Sequence, residues 1–146
     1  MRTIKFRGLD RANEQWVYGD LVVVGDDYHI LEEWEIEAND YNKVDKESVG
    51  QFTDVLGIGD EEIYEGDIVT NRDDFDDTQY VVRYCDGGFV ICEILNGDID
   101  EALIRDIYES PDSDKIYSIG TFCEGWRGEN YLQVVGNVYE HKLKKN

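Results

Sequence analysis

Apolar and polar residues alternate along much of the chain, which is the pattern of β-strands with one buried face. Near the amino terminus, Ile4 and Phe6 stand on either side of Lys5. Further β-forming runs follow at Trp16–Tyr18, Leu21–Val24 and Tyr28–Leu31, separated by Gly19-Asp20 and Gly25-Asp26-Asp27. We therefore expect a meander of antiparallel hairpins in this part of the chain.

The strongest hairpin signal lies in the second half of the chain. Asp86-Gly87-Gly88 separates two runs of β-branched and aromatic residues, Gln79–Tyr84 and Phe89–Leu95. Asp-Gly between such runs is typical of a two-residue hairpin turn. Strict alternation then predicts two opposite faces in the first run, with Tyr80, Val82 and Tyr84 on one and Val81, Arg83 and Cys85 on the other.

One segment has the pattern of an α-helix, from Asp98 to Tyr108. Asp98 is a good N-cap, Glu101 follows at the spacing of a capping box, and apolar residues recur every four positions. Ser110-Pro111-Asp112 then predicts the end of the helix. The remaining segments predict a strand at Ile116–Phe122, a closing strand at Tyr131–Tyr139 with a bulge at Gly136-Asn137, and a frayed basic tail.

The most informative turn lies within Ile63–Val69, where apolar residues flank Glu65-Gly66-Asp67. Gly66 can take the positive φ of a tight turn, and the Asp67 side chain can hydrogen-bond the nearby backbone. We assign both residues a structural role. The polar stretch Asn39–Gln51 predicts a boundary between a β-rich part at 1–48 and a second domain at 49–146.

Three segments together resemble the YopX-like family of phage and prophage proteins from Gram-positive bacteria. They are the basic, alternating start at Met1–Asp10, the pair Val49–Thr53 and Glu62–Val69, and the closing Leu132–Glu140. Asp54–Asp60 departs from the family, which usually has a Gly-Leu-Lys-Asp type of run there. The resemblance implies an SH3-like barrel in the C-terminal part, preceded by a small β-rich part, so we expect a mainly β fold with one helix. It also implies a phage or prophage setting and the cytoplasm of a bacterial host, and it implies no activity, catalytic residue or cofactor.

The charge of the chain is strongly acidic, with 34 Asp and Glu against 14 Lys and Arg and a net charge of −20. Such a charge favours solubility and repels nucleic acid and anionic membranes, so we expect no direct nucleic-acid binding. An alternative interpretation is a DNA mimic that inhibits a DNA-binding protein of the host or phage, which requires dense carboxylates on one face. No apolar run reaches membrane length, and we expect no membrane association.

Residues that could carry chemistry do not form a recognised pattern. The acidic run around Asp73, Asp74, Asp76 and Asp77 lacks the glycine and the following glutamate of a calcium loop. The three cysteines and two histidines have no zinc-ligand spacing, and no nucleophile lies beside a base. We therefore expect no catalytic site, metal or cofactor, and an enzyme is the second alternative.

Binding is the better use for this composition, because 3 tryptophans and 10 tyrosines exceed what a small core readily buries. Aromatic residues are enriched at interfaces. We expect a non-catalytic interaction module whose partner is another protein or a second copy of the chain. The candidate contact residues are Trp126, Tyr64 and Trp34, although Trp126 can instead fold over the mouth of the barrel.

Overall fold

The structure, a computed structural model, describes residues 2–32, 42–72, 77–106, 115–122 and 131–145. In these ranges the chain is mainly β, as predicted. The strands are β1 (Phe6–Asp10), β2 (Gln15–Val24), β3 (Asp27–Leu31), β4 (Asn42–Val44), β5 (Gly50–Leu56), β6 (Glu62–Tyr64), β7 (Asp67–Asn71), β8 (Gln79–Cys85), β9 (Gly88–Glu93), β10 (Ile116–Ser118) and β11 (Leu132–Asn137). The helices are α1 (Ile99–Ile104) and α2 (Val138–Lys145), with short 3₁₀ turns at Lys46–Ser48, Ile58–Asp60 and Ile119–Phe122.

Two compact units make up the chain, Met1–Asp54 and Val55–Asn146. The division falls within β5, shortly after the boundary that the polar stretch predicts at residue 48. The assignment of 1–48 and 49–146 as separate domains stays a prediction.

Four strands of the first unit, β1 to β4, close into a ring. β1 pairs with β2, β2 with β3 and β3 with β4, all antiparallel, and β4 returns to β1 where Asp10 faces Val44. Val17, Ile30 and Val44 are buried inside this ring. Gly8 makes the close approach possible, because a Cβ at that position would lie 2.7 Å from the Val44 side chain. A ring of this kind leaves few unpaired strand edges.

β2 differs from its prediction. Gln15–Val24 is one long strand, and the expected turn at Gly19-Asp20 lies inside it. Gly19 is needed there for packing, because an added Cβ would lie 2.0 Å from the Leu31 carbonyl oxygen. The glycine therefore marks close contact with β3 and not a reversal of the chain.

The second unit contains an antiparallel sheet of five strands in the order β10-β9-β8-β7-β11. The predicted hairpin at its centre is confirmed: β8 and β9 are joined through Asp86 and Gly87, with φ of 51° and 81°. The predicted alternation is confirmed too. Tyr80 and Val82 belong to one buried cluster, whereas Val81 belongs to another on the opposite face.

The helices differ from their prediction in two respects. α1 begins as predicted, with the Asp98 carboxylate accepting the N–H of Glu101 at 3.0 Å, but it ends at Ile104, before Arg105. Tyr108, the predicted end, lies outside the described residues. A second helix, α2, replaces the predicted end of the closing strand and the frayed tail, so the fold has more than the one helix expected. The side chain of Asn137 accepts the N–H of Glu140 at 2.9 Å, which satisfies one of the free amides at the start of α2.

The strand pairing also tests the predictions for β10 and β11. The predicted bulge in β11 is confirmed as a register shift between Val134 and Gly136. The strand expected over Ile116–Phe122 is shorter, since β10 ends at Ser118 and a 3₁₀ turn follows.

Candidate functional site

The turn between β6 and β7 is tied to its surroundings by its own backbone and by one side chain. Gly66 has a φ of 90°, its N–H donates to the Val82 carbonyl at 2.9 Å, and its carbonyl accepts from Val138 N–H at 2.8 Å. Asp67 is only 1% exposed, and its Oδ2 accepts the N–H of Tyr64 at 2.8 Å. The geometry matches a structural role, because these contacts fasten the turn to β8 and to the start of α2.

Of the three candidate contact residues, only Tyr64 lies within the described residues. Tyr64 is 2% exposed, and its hydroxyl donates to the Glu62 carboxylate at 3.2 Å. The structure therefore places Tyr64 in the interior of the second unit. Trp34 and Trp126 lie outside the described residues. Their use in binding stays a prediction.

Exposed apolar side chains occur at the end of β2. Val23 and Val24 are 50% and 60% exposed. They precede the turn at Gly25-Asp26, after which Asp27 begins β3. We call Val23, Val24, Asp26 and Asp27 the β2 tip. Sequence reasoning missed this surface, although the signal was present: in a run of four aliphatic residues such as Leu21–Val24, alternation forces some of them away from any single core.

A charged cleft of about 630 Å³ adjoins the β2 tip through Asp26 and Asp27, which belong to its lining. Its charges are largely paired within the protein. Arg11 lies 2.9 Å from Asp45 and Lys43 lies 3.1 Å from Asp27. The cleft thus presents both signs of charge.

A group of polar side chains near α1 has a structural explanation. The Nη1 of Arg83 donates to the carbonyls of Ala102 at 3.0 Å and Arg105 at 2.9 Å, and it lies 3.4 Å from the sulfur of Cys92. These contacts bind the end of α1 to the sheet and explain why the helix stops earlier than its apolar spacing predicts. Arg105, in turn, donates through Nε to Glu101 at 2.7 Å.

The pKa values in this group follow from the same contacts. The hydrogen bond from Arg105 lowers the pKa of Glu101. The Glu101 carboxylate therefore pairs with Arg105 and does not form the reciprocal hydrogen bond of a capping box. Burial raises the pKa of the Cys92 thiol, and the Arg83 hydrogen bond opposes that effect only in part. A thiol of this kind is a poor nucleophile, because the thiolate is the reactive form.

The described part of the chain contains neither a cluster of metal ligands nor a membrane-spanning helix. Within those ranges, no three His, Cys, Asp or Glu side chains are grouped so that they could hold a metal ion. Among the helices so described, none is long and apolar enough to cross a membrane. Asp73, Asp74 and Asp76 of the acidic run lie outside these ranges.

The fold and its surfaces define a two-unit, mainly β protein with exposed apolar and charged patches. The chain belongs to the YopX family: the family model described as YopX protein matches residues 5–143. Among solved structures it is similar to protein EF1440 from Enterococcus faecalis, with 17% sequence identity, all of both chains covered and a TM-score of 0.50. At that identity the likeness shows the fold alone. No curated protein matches the chain.

Proposed function

We propose that this protein is a non-catalytic protein-interaction module that works in the cytoplasm of a bacterial host in a phage or prophage setting. Its partner is a protein with an apolar patch surrounded by basic residues. The β2 tip forms part of the interface with that patch. The observation that carries this proposal is the exposure of Val23 and Val24 beside two aspartates.

The apolar part of the contact gives a modest contribution. Complete burial of an exposed valine stabilises by about 1.5 kcal/mol, so two valines that are half-exposed offer roughly 0.8 kcal/mol each. A micromolar complex needs about 8 kcal/mol. The interface must therefore extend over neighbouring surface, and the adjoining cleft with Arg11 and Lys43 at its edge is the nearest candidate rim.

The charge favours a basic partner over a second copy of the chain. Two copies at −20 each repel, whereas a basic surface is attracted by the net charge and by Asp26. Asp27 contributes less, because it is already paired with Lys43. The alternatives of self-association and of DNA mimicry make different predictions in the same experiment. A DNA mimic competes with duplex DNA for its target, and its binding weakens steeply with salt.

We also propose an SH3-like arrangement for the second unit. Its support is the order of the elements: β7, β8, β9 and β10 form a meander, a 3₁₀ turn follows, and β11 returns to pair with β7. SH3-like barrels host many functions, so this arrangement by itself assigns none.

The test is affinity capture from a lysate of phage-infected Gram-positive cells with three immobilised proteins. They are the wild type, the Val23→Thr/Val24→Thr variant, and the control Ile104→Thr, which changes an 81% exposed residue of the second unit. Threonine keeps the shape of valine and suits a strand, so folding is preserved. We expect a basic protein that the wild type and the control retain and the double variant loses.

Equal capture by all three proteins, or no partner at all together with a monomer in sedimentation, would refute the proposal. A partner that duplex DNA displaces would favour the DNA-mimic alternative. A concentration-dependent dimer disrupted by the double variant would point to self-association.

A further inference from the structure

The second unit contains a pocket beside the bulge in β11. Its volume is about 410 Å³, within the range of small-ligand sites. We call it the bulge pocket. Its lining includes Ile68, Ile94, Ile99, Val135, Glu140 and His141.

The bulge shapes this pocket. Val134 faces Val69 of β7 and Gly136 faces Ile68, so Val135 is an extra residue without its own partner in β7. Bulges bend a strand locally and often occur next to binding sites. Ile68 and Ile99 are buried, and they give the pocket an apolar wall.

His141 supplies the polar observation. Its Nε2 atom is buried and has no hydrogen-bond partner in the described part of the chain, although the residue as a whole is half-buried. A buried polar atom without a partner costs about 1–3 kcal/mol. A ligand that donates a hydrogen bond to Nε2 removes that cost, once the side chain of this half-buried residue turns Nε2 towards the pocket.

We propose that the bulge pocket binds the lysine side chain of a basic protein partner. The isoleucines contact the four-carbon stem, His141 Nε2 accepts one ammonium hydrogen, and the Glu140 carboxylate at the rim complements the charge. An anionic group is disfavoured by Glu140 and by the net charge of −20. The inference rests on the proposed function in one respect, namely that the amine belongs to a basic protein.

The experiment is an NMR titration of the whole chain with Nα-acetyl-lysine-N-methylamide. Nα-acetyl-norleucine-N-methylamide is the matched probe, since it keeps the stem and lacks the ammonium group. With the lysine probe we expect shifts concentrated at the amides of Ile68, Ile99 and Gly136 and at the His141 imidazole nitrogens. We expect the norleucine probe to bind more weakly.

Three variants locate the contact. Glu140→Gln is expected to weaken binding about threefold, and His141→Phe about fivefold. Glu47→Gln makes the same change of charge at an exposed glutamate of the first unit and should leave binding unchanged. The imidazole nitrogen shifts of the wild type give a readout that does not depend on any variant folding.

Shifts spread over acidic residues of both units, equal binding of the two probes, or no shift at His141 would each overturn the inference. The outcome is separate from that of the capture experiment. If the Val23 and Val24 variant loses the partner but the lysine probe does not bind the bulge pocket, only the bulge-pocket inference is refuted. If the lysine probe binds but the variant keeps the partner, only the β2-tip proposal is refuted.

Discussion

The Asp67 side chain is the clearest place to test how one carboxylate holds the second unit together. Asp67 is 1% exposed, and its Oδ2 accepts the N–H of Tyr64, which is itself 2% exposed. Replacing Asp67 by alanine removes the acceptor and leaves the Tyr64 N–H buried without it.

The expected cost follows from that geometry. A buried N–H that loses its partner costs about 1–3 kcal/mol, so we expect Asp67→Ala to lower the free energy of unfolding by roughly 2 kcal/mol. For a chain of this length each kcal/mol shifts the melting temperature by about 2–4 °C. Asp67→Asn retains a carbonyl oxygen of the same shape and should cost less than the alanine variant.

The assay is urea unfolding followed by circular dichroism, with Asp77→Ala as the control. Asp77 is an exposed aspartate of the same unit, so its removal should change the free energy of unfolding by less than about 0.5 kcal/mol. The slope of the unfolding free energy with urea should stay constant. If Asp67→Ala and Asp77→Ala have equal stability, the assignment of a structural role to the Asp67 hydrogen bond is wrong.

Three other changes test the neighbouring elements. Gly66→Ala should lower the free energy of unfolding in urea by about 1–2 kcal/mol. The positive φ is the only cause, because an added Cβ meets no atom within 4 Å. Unchanged stability would contradict the need for glycine at this turn. Arg83→Met should speed amide hydrogen exchange in α1, because two carbonyls lose their donor, and unchanged exchange would contradict the contact. The pKa of Glu101 is lowered in the fold, so its ion pair with Arg105 stabilises above the ordinary value near 4.5 and is lost as pH falls below it. The stability difference between wild type and Glu101→Gln should therefore shrink on acidification, and a constant difference from pH 6 to pH 3 would refute it.

Two features of the fold differ from their prediction for identifiable physical reasons. Glu101 lies at capping-box spacing, but the buried Arg105 one turn later offers a stronger partner than a backbone N–H. Gly19 has the composition of a turn, yet it serves a close backbone contact with Leu31 across two strands. Leu31 is brought near Gly19 by the pairing of β2 with β3, which no local pattern records. Arg105 is a local neighbour of Glu101 at the i,i+4 spacing, and only its burial depends on the fold.

The surfaces were harder to predict than the strands. The exposure of Val23 and Val24 depends on where the interior of the ring ends, and the pocket at His141 depends on a helix packed beside a bulge. The pocket cannot be found from spacing, because its residues come from distant parts of the chain. The run Leu21–Val24 does indicate that some of its side chains are exposed, but it does not show which ones. Tyr64 shows the opposite case: it lies beside a turn and is predicted to be a contact residue, but its side chain is buried in the second unit.

The sequence by itself determined the hairpin at Asp86-Gly87, the cap at Asp98, the bulge near Gly136 and the mainly β character. Those features depend on φ preferences, short-range hydrogen bonds and period-two alternation, which act between residues close along the chain. Only the tertiary structure decided which strands close into a ring, where α1 ends and which apolar side chains stay exposed. Those outcomes depend on long-range packing, in which each residue responds to neighbours that the order of amino acids does not reveal.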